Sequence, residues 1–140
     1  MIVLDASVVL KWIFENEEGS DRALRYRDMH VFGEQPIAVP DLFFYEVANV
    51  LLTRTRLDAA VVSEAFSMLW SFDLEVCDLG FEEFSSAIQI SRCYGITLYD
   101  AAYVELARRL QCDLVTSDKK LHRKVKALRQ VRLLSRSEKD

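Results

Sequence analysis

Short apolar runs alternate with stretches of helical periodicity along this chain, which predicts an α/β fold: a mostly parallel sheet with helices on both faces. Two observations carry the prediction. Five strand-like segments, residues 2–4, 37–39, 74–77, 113–115 and 131–134, are each too short to stand alone and are separated by helix-length connections. Only four glycines and two prolines interrupt 140 residues of which 51% are hydrophobic, so a continuous core is expected.

The elements follow in order. Residues 2–4, Ile-Val-Leu, read as a strand buried on both faces, followed by helices over 6–14 and about 19–32. Residues 37–39 form the second strand, which Pro40 should stop. Asp41 can cap the next helix, where Leu42, Phe43, Val47, Val50 and Leu51 recur at helical spacing. A helix over about 58–72 leads to the strand at 74–77. Helices over 81–94 and 97–110 precede the strand at 113–115, and a basic helix over about 119–128 precedes the last strand. The expected organisation is one domain over 1–134 with a polar tail at 135–140. No internal repeat or linker is visible.

Composition excludes several classes. The apolar runs are too short to cross a bilayer, and Asp5 and Lys11 interrupt any signal-peptide core, so a soluble, cytoplasmic protein with no membrane partner is expected. Cys77, Cys93 and Cys112 lack metal or redox spacing and read as core thiols. His30 and His122 lie in no nucleophile motif, and the glycines are scattered singly, which leaves no phosphate loop. Trp12, Phe14, Phe43, Phe44, Trp70, Phe72, Phe81 and Phe84 read as core rather than as a stacking platform. Net charge is −4, but its distribution is uneven. Residues 119–140 hold nine Lys and Arg against Glu138 and Asp140, a stripe that could meet phosphates or simply be a solvated helix face.

Four acids occupy positions that a solvated chain would not give them. Asp5 follows the first strand, Asp118 lies just past the fourth, and Glu46 and Asp100 sit within apolar helical stretches. In a parallel sheet the ligand site lies beyond the carboxyl ends of the strands, at the switch in strand order. Asp5 and Asp118 belong at that edge. The helices carrying Glu46 and Asp100 both begin there, which brings all four acids to one rim. Each has a plainer role: Asp5 and Asp118 as helix caps, Asp100 in the capping box Thr97-Leu98-Tyr99-Asp100, Glu46 as a structural acid. Together they suggest a divalent-cation site. Two carboxylates ~5 Å apart repel by about 3 kcal/mol at an effective dielectric of 20, and oxygen-only ligands suit Mg²⁺ or Mn²⁺. Such ions activate water against phosphorus. Ser7 and Thr116 are placed to support the carboxylates or, as strand-end hydroxyls, to cap.

The run Ile2-Val3-Leu4-Asp5-Ala6-Ser7, the helix Tyr45-Glu46-Val47-Ala48-Asn49-Val50-Leu51, the stretch Thr97-Leu98-Tyr99-Asp100-Ala101-Ala102-Tyr103 and the segment Leu114-Val115-Thr116-Ser117-Asp118-Lys119-Lys120-Leu121 together resemble the PIN-domain ribonucleases of the VapC toxin type. Each motif is short, but their order and spacing extend over nearly the whole chain. The resemblance implies an α/β/α sandwich around a five-stranded parallel sheet and Mg²⁺- or Mn²⁺-dependent endonucleolytic cleavage of RNA. It also implies homodimerisation and a cognate antitoxin that covers the site. It transfers the catalytic and metal-binding roles to Asp5, Glu46, Asp100 and Asp118, with Ser7 and Thr116 supporting; none of the four acids is missing. Two other readings compete. One is a catalytically silent, PIN-like RNA-binding or scaffold module. The other is a phosphate-receiving signalling domain, but Asp5-Ala6-Ser7 lacks the acid pair such a domain needs after its first strand.

Overall fold

The computed structural model describes residues 1–134. The tail expected at 135–140, with the basic residues Arg136 and Lys139, lies outside the described residues. Five strands, β1 (Ile2–Leu4), β2 (Ile37–Pro40), β3 (Glu75–Cys77), β4 (Leu114–Thr116) and β5 (Val131–Leu133), form one sheet in the order β3-β2-β1-β4-β5, every pair parallel. The direction of winding reverses between β1 and β4, both buried along their whole length.

Seven helices connect them: α1 (Ala6–Val9, extended by a 3-10 turn at Leu10–Trp12), α2 (Ser20–Val31), α3 (Leu42–Arg54), α4 (Ala59–Trp70), α5 (Phe81–Tyr94), α6 (Leu98–Arg109) and α7 (Lys119–Lys124). Right-handed crossovers put α1 to α4 on one face and α5 to α7 on the other. Against the sheet lies α6, buried continuously from Ala101 to Ala107 and packed on β1, β2, β4 and α5. Three alanines among those seven residues let its backbone approach the strands closely. No helix among the described residues is long and apolar enough to cross a membrane.

Local chemistry sets the boundaries. Asp58 accepts from the Val61 N–H at 3.2 Å to start α4, and Thr97 accepts from the Asp100 N–H at 3.1 Å to start α6. Gly95 ends α5 at φ 64°, a left-handed turn that a side chain would strain. His30 ties the end of α2 to the sheet. Its Nδ1 accepts the Ile37 N–H at 2.9 Å, which leaves Nε2–H to donate to the Phe72 carbonyl at 2.8 Å.

Several expectations are corrected. Pro40 does not stop the second strand but closes it, paired with Cys77. As the last residue it forfeits an N–H where the ladder is already ending. Asp41 makes no side-chain cap to α3. The basic helix ends at Lys124 rather than near 128, and the first helix tightens to a 3-10 turn after Val9. Of the cysteines expected as core thiols, Cys93 is exposed, whereas Cys77 and Cys112 are partly buried and pack against the core. Trp70, Phe81 and Phe84 also leave the core, with 61%, 84% and 47% of their surface exposed. They lie on the outer faces of α4 and α5, where no further layer covers them.

Candidate active site

Asp5 ends β1 at the switch point, and its residue is only 6% exposed. Its side chain does not cap α1. Instead it accepts from the Ser7 hydroxyl and from the hydroxyl of Thr116, the last residue of β4. Ser7 Oγ in turn accepts the Ser117 N–H at 3.0 Å, and Ser117 Oγ donates to the Ser7 carbonyl at 3.4 Å. These contacts fasten the carboxyl ends of β1 and β4 to each other. Both residues expected to support the site therefore touch Asp5 or brace it.

Glu46, on the second turn of α3, is half-buried and accepts from the Tyr103 hydroxyl at 2.7 Å. Tyr103, 1% exposed, was not singled out from the sequence. The signal was present: it lies three positions after Asp100 on one helix, a spacing that places both on one face. Asp100 sits half-buried in the first turn of α6. Asp118 is exposed and serves as the cap of α7, its Oδ1 accepting from Lys120 N–H at 2.9 Å and Leu121 N–H at 3.0 Å. The capping role is thus real for Asp118 and absent for Asp5.

Burial and mutual repulsion act on these acids together. Desolvation pushes the Asp5 carboxyl up to about 6 against the hydrogen bonds from Ser7 and Thr116, and the Asp100 charge adds to it. Desolvation also raises Glu46, opposed by Tyr103 and reinforced by Asp5 and Asp100. Asp100 rises through desolvation and the Asp118 charge. The four acids therefore share one electrostatic neighbourhood. None of them takes part in an ion pair among the described residues.

An all-oxygen donor set carrying net negative charge fits a hard divalent cation. The spacing is looser than a closed cage: among the described residues no three His, Cys, Asp or Glu side chains converge closely enough to hold a metal. Of the four acids, Asp5 is buried, Glu46 and Asp100 are half-buried and Asp118 is exposed.

Fold and rim together define an α/β protein with an acidic site at the topological switch of a parallel sheet. Residues 2–127 match the PIN domain model, and the chain belongs to the PIN-domain family. It is similar to Ribonuclease VapC3 of Pyrobaculum aerophilum, with 36% identity over 132 residues, 91% of this chain and 96% of that protein. Its fold is similar to the crystal structure of PAE2754 from Pyrobaculum aerophilum, with TM-score 0.69 at 22% identity over 95% of this chain and 90% of the other. A toxin–antitoxin complex from Klebsiella pneumoniae superposes with TM-score 0.65 at 15% identity, covering 87% of this chain and 90% of its counterpart.

The Tyr103 hydroxyl makes a prediction of its own. Removing a hydrogen bond to a charged acceptor costs about 1.5–3 kcal/mol, and here it frees the Glu46 carboxylate to rotate. Because that bond lowers the Glu46 pKa, Tyr103→Phe should move the acidic limb of a pH–rate profile upward and cut turnover on RNA by about tenfold. An unshifted profile with full turnover would show that Glu46 needs no such positioning.

Proposed function

We propose that this chain is a divalent-metal-dependent endoribonuclease, the toxin of a toxin–antitoxin pair, with its nuclease unit spanning residues 1–134 and working in the cytoplasm. The observation that carries this reading is the buried Asp5 carboxylate sharing its surroundings with three further acids, none of them in an ion pair among the described residues. The relation to a ribonuclease over nearly the full length of both chains supports RNA as the substrate.

Asp5, Glu46, Asp100 and Asp118 would hold Mg²⁺ or Mn²⁺, which when bound supplies charge neutralisation and an acidified water for in-line attack on phosphorus. Ser7 and Thr116 fix the Asp5 carboxylate in one orientation. Tyr103 keeps its proton, since its pKa is raised well above 10 by burial and by Glu46, and so donates steadily to Glu46. Asp118 holds one oxygen on backbone N–H groups, which leaves its second oxygen for the site. The lysines opening α7, Lys119 and Lys120, stand beside Asp118, where they would meet substrate phosphates.

The partners follow from surfaces. A groove of about 470 Å³ between α3 and α4 is lined by Leu52, Val62, Phe66 and Trp70, and suits the apolar segment of an antitoxin. The likeness to a chain from a toxin–antitoxin complex supports an antitoxin as partner. The stripe Phe81, Phe84 and Ile88 on α5, repeating at helical spacing, suits a second copy of the chain in a homodimer.

The test is incubation of the purified chain with single-stranded and hairpin RNA, with and without Mg²⁺ or Mn²⁺. Cleavage that chelation abolishes is the expected result. A silent RNA-binding or scaffold module is favoured by one observation, the absence among the described residues of three converging acids. Calorimetry that detects no divalent binding, together with intact RNA, would establish that second reading and reject the first.

A further inference from the structure

Tyr99 precedes Asp100 in the first turn of α6 and is 64% exposed, although the helix behind it is buried continuously from Ala101 to Ala107. Its ring packs on no other aromatic ring among the described residues. One exposed tyrosine is ordinary on a protein surface. Its place in the helix is what distinguishes this one.

Tyr103 fixes where Tyr99 stands. The Tyr103 hydroxyl donates to Glu46 at 2.7 Å, so that side chain reaches the acidic rim. Tyr99 comes four residues earlier on the same helix, which puts it ~40° round the axis and ~6 Å nearer the helix start. Because α6 leads into β4 and packs along β1, β2 and β4, it runs from the rim toward the strand starts. One turn before Tyr103 is therefore beyond the strand ends, and the shared face aims the Tyr99 ring over the acids. Tyr45 makes the contrast. It precedes Glu46 as Tyr99 precedes Asp100 and is 79% exposed. Yet it lies ~160° round the helix from both Phe43 and Val47, two of the buried residues of α3, so it points away from the core.

Electrostatics selects what can rest on Tyr99. The carboxylates of the rim repel phosphate wherever no cation intervenes. A nucleobase carries no charge and presents a flat π face, which an exposed tyrosine ring matches. We propose that Tyr99 stacks on an unpaired base next to the phosphate held at the rim and so positions the strand across the acids. The proposal rests on the ribonuclease reading for its substrate and narrows that substrate to unpaired RNA.

The experiment is fluorescence anisotropy in buffer containing Ca²⁺, with a labelled twelve-nucleotide single-stranded RNA and an abasic ribose–phosphate chain of the same length. Wild type, Tyr99→Phe, Tyr99→Leu and Tyr45→Leu are compared, with thermal melts to check folding. Tyr99→Leu should weaken the twelve-mer by about tenfold, as the loss of one base–aromatic stack does. The slope of log affinity against log salt should stay unchanged, because no phosphate contact is removed. Tyr99→Phe and Tyr45→Leu should bind the twelve-mer as wild type does, and wild type and Tyr99→Leu should bind the abasic chain equally. Equal binding of the twelve-mer by wild type and Tyr99→Leu overturns the assignment and leaves the ring as a surface for the protein partner. An equal loss on the abasic chain overturns it too, as does a loss of the same size in Tyr99→Phe or Tyr45→Leu. Wild type that grips the twelve-mer through Tyr99 yet cleaves none with Mg²⁺ or Mn²⁺ keeps the stacking role and rejects only the nuclease reading.

Discussion

Asp5→Asn should reduce RNA cleavage by at least 10²–10³-fold, the range seen when one group that stabilises developing charge is lost, while leaving the fold intact. The substitution is nearly isosteric, and the amide oxygen can still accept from Ser7 and Thr116. What disappears is the negative charge at the most buried position of the rim. The loss should therefore appear in turnover and in calorimetric Mn²⁺ binding together, with the melting temperature of the metal-free chain unchanged or higher. Full turnover in this variant would remove Asp5 from the chemistry. A collapsed melting curve would instead mark Asp5 as structural, a role its missing helix cap argues against.

The metal-free chain should lose stability as pH rises from about 4 to about 6. Burial raises the Asp5 carboxyl from its ordinary value of 3.8 to about 6 in the folded protein. Its folded pKa is raised, so its contribution is fully present below the unfolded value and is lost as pH climbs through the folded one. At about 1.4 kcal/mol per unit, the whole window is worth roughly 3 kcal/mol, a little under half of it between pH 5 and pH 7. Glu46 and Asp100 are raised too and push the same way, whereas Glu17, lowered by Arg54 and Lys11, opposes them at the acid end. Urea denaturation with a chelator present should therefore give a higher midpoint at pH 5 than at pH 7. Asp5→Asn should flatten that difference, and excess Mn²⁺ at pH 7 should restore the lost stability. A slope identical in wild type and Asp5→Asn would show that the buried acid does not set it.

The fold was largely legible because its signals are local. Ile2, Val3 and Leu4 are apolar on both faces as a central parallel strand must be, and the 3.6-residue spacing in α3 and α5 survives in the structure. Convergence of the acids on one rim also followed from chain direction alone, since a helix leading into a parallel strand must begin at the opposite edge. Long-range contacts were harder to read. The Tyr103 hydroxyl reaches Glu46 across 57 positions, and Ser7 braces Ser117 across 110; no periodicity encodes either. Surface against core was misjudged for Trp70, Phe81 and Phe84 because an apolar stripe looks alike whether it faces the sheet or a surface left uncovered. Pro40 was misplaced because a proline's missing donor is tolerated at the final rung of a ladder.

One oxygen of Asp118 is committed to the first turn of α7, and that helix is only six residues long. So short an element has little intrinsic persistence and borrows its starting geometry from the cap. The same side chain thus sets the direction of four cationic side chains, Lys119, Lys120, Arg123 and Lys124, and stands among the rim acids. With both cap bonds on one oxygen and the other left over, a single carboxylate ties the starting geometry of the cationic helix to the acidic rim.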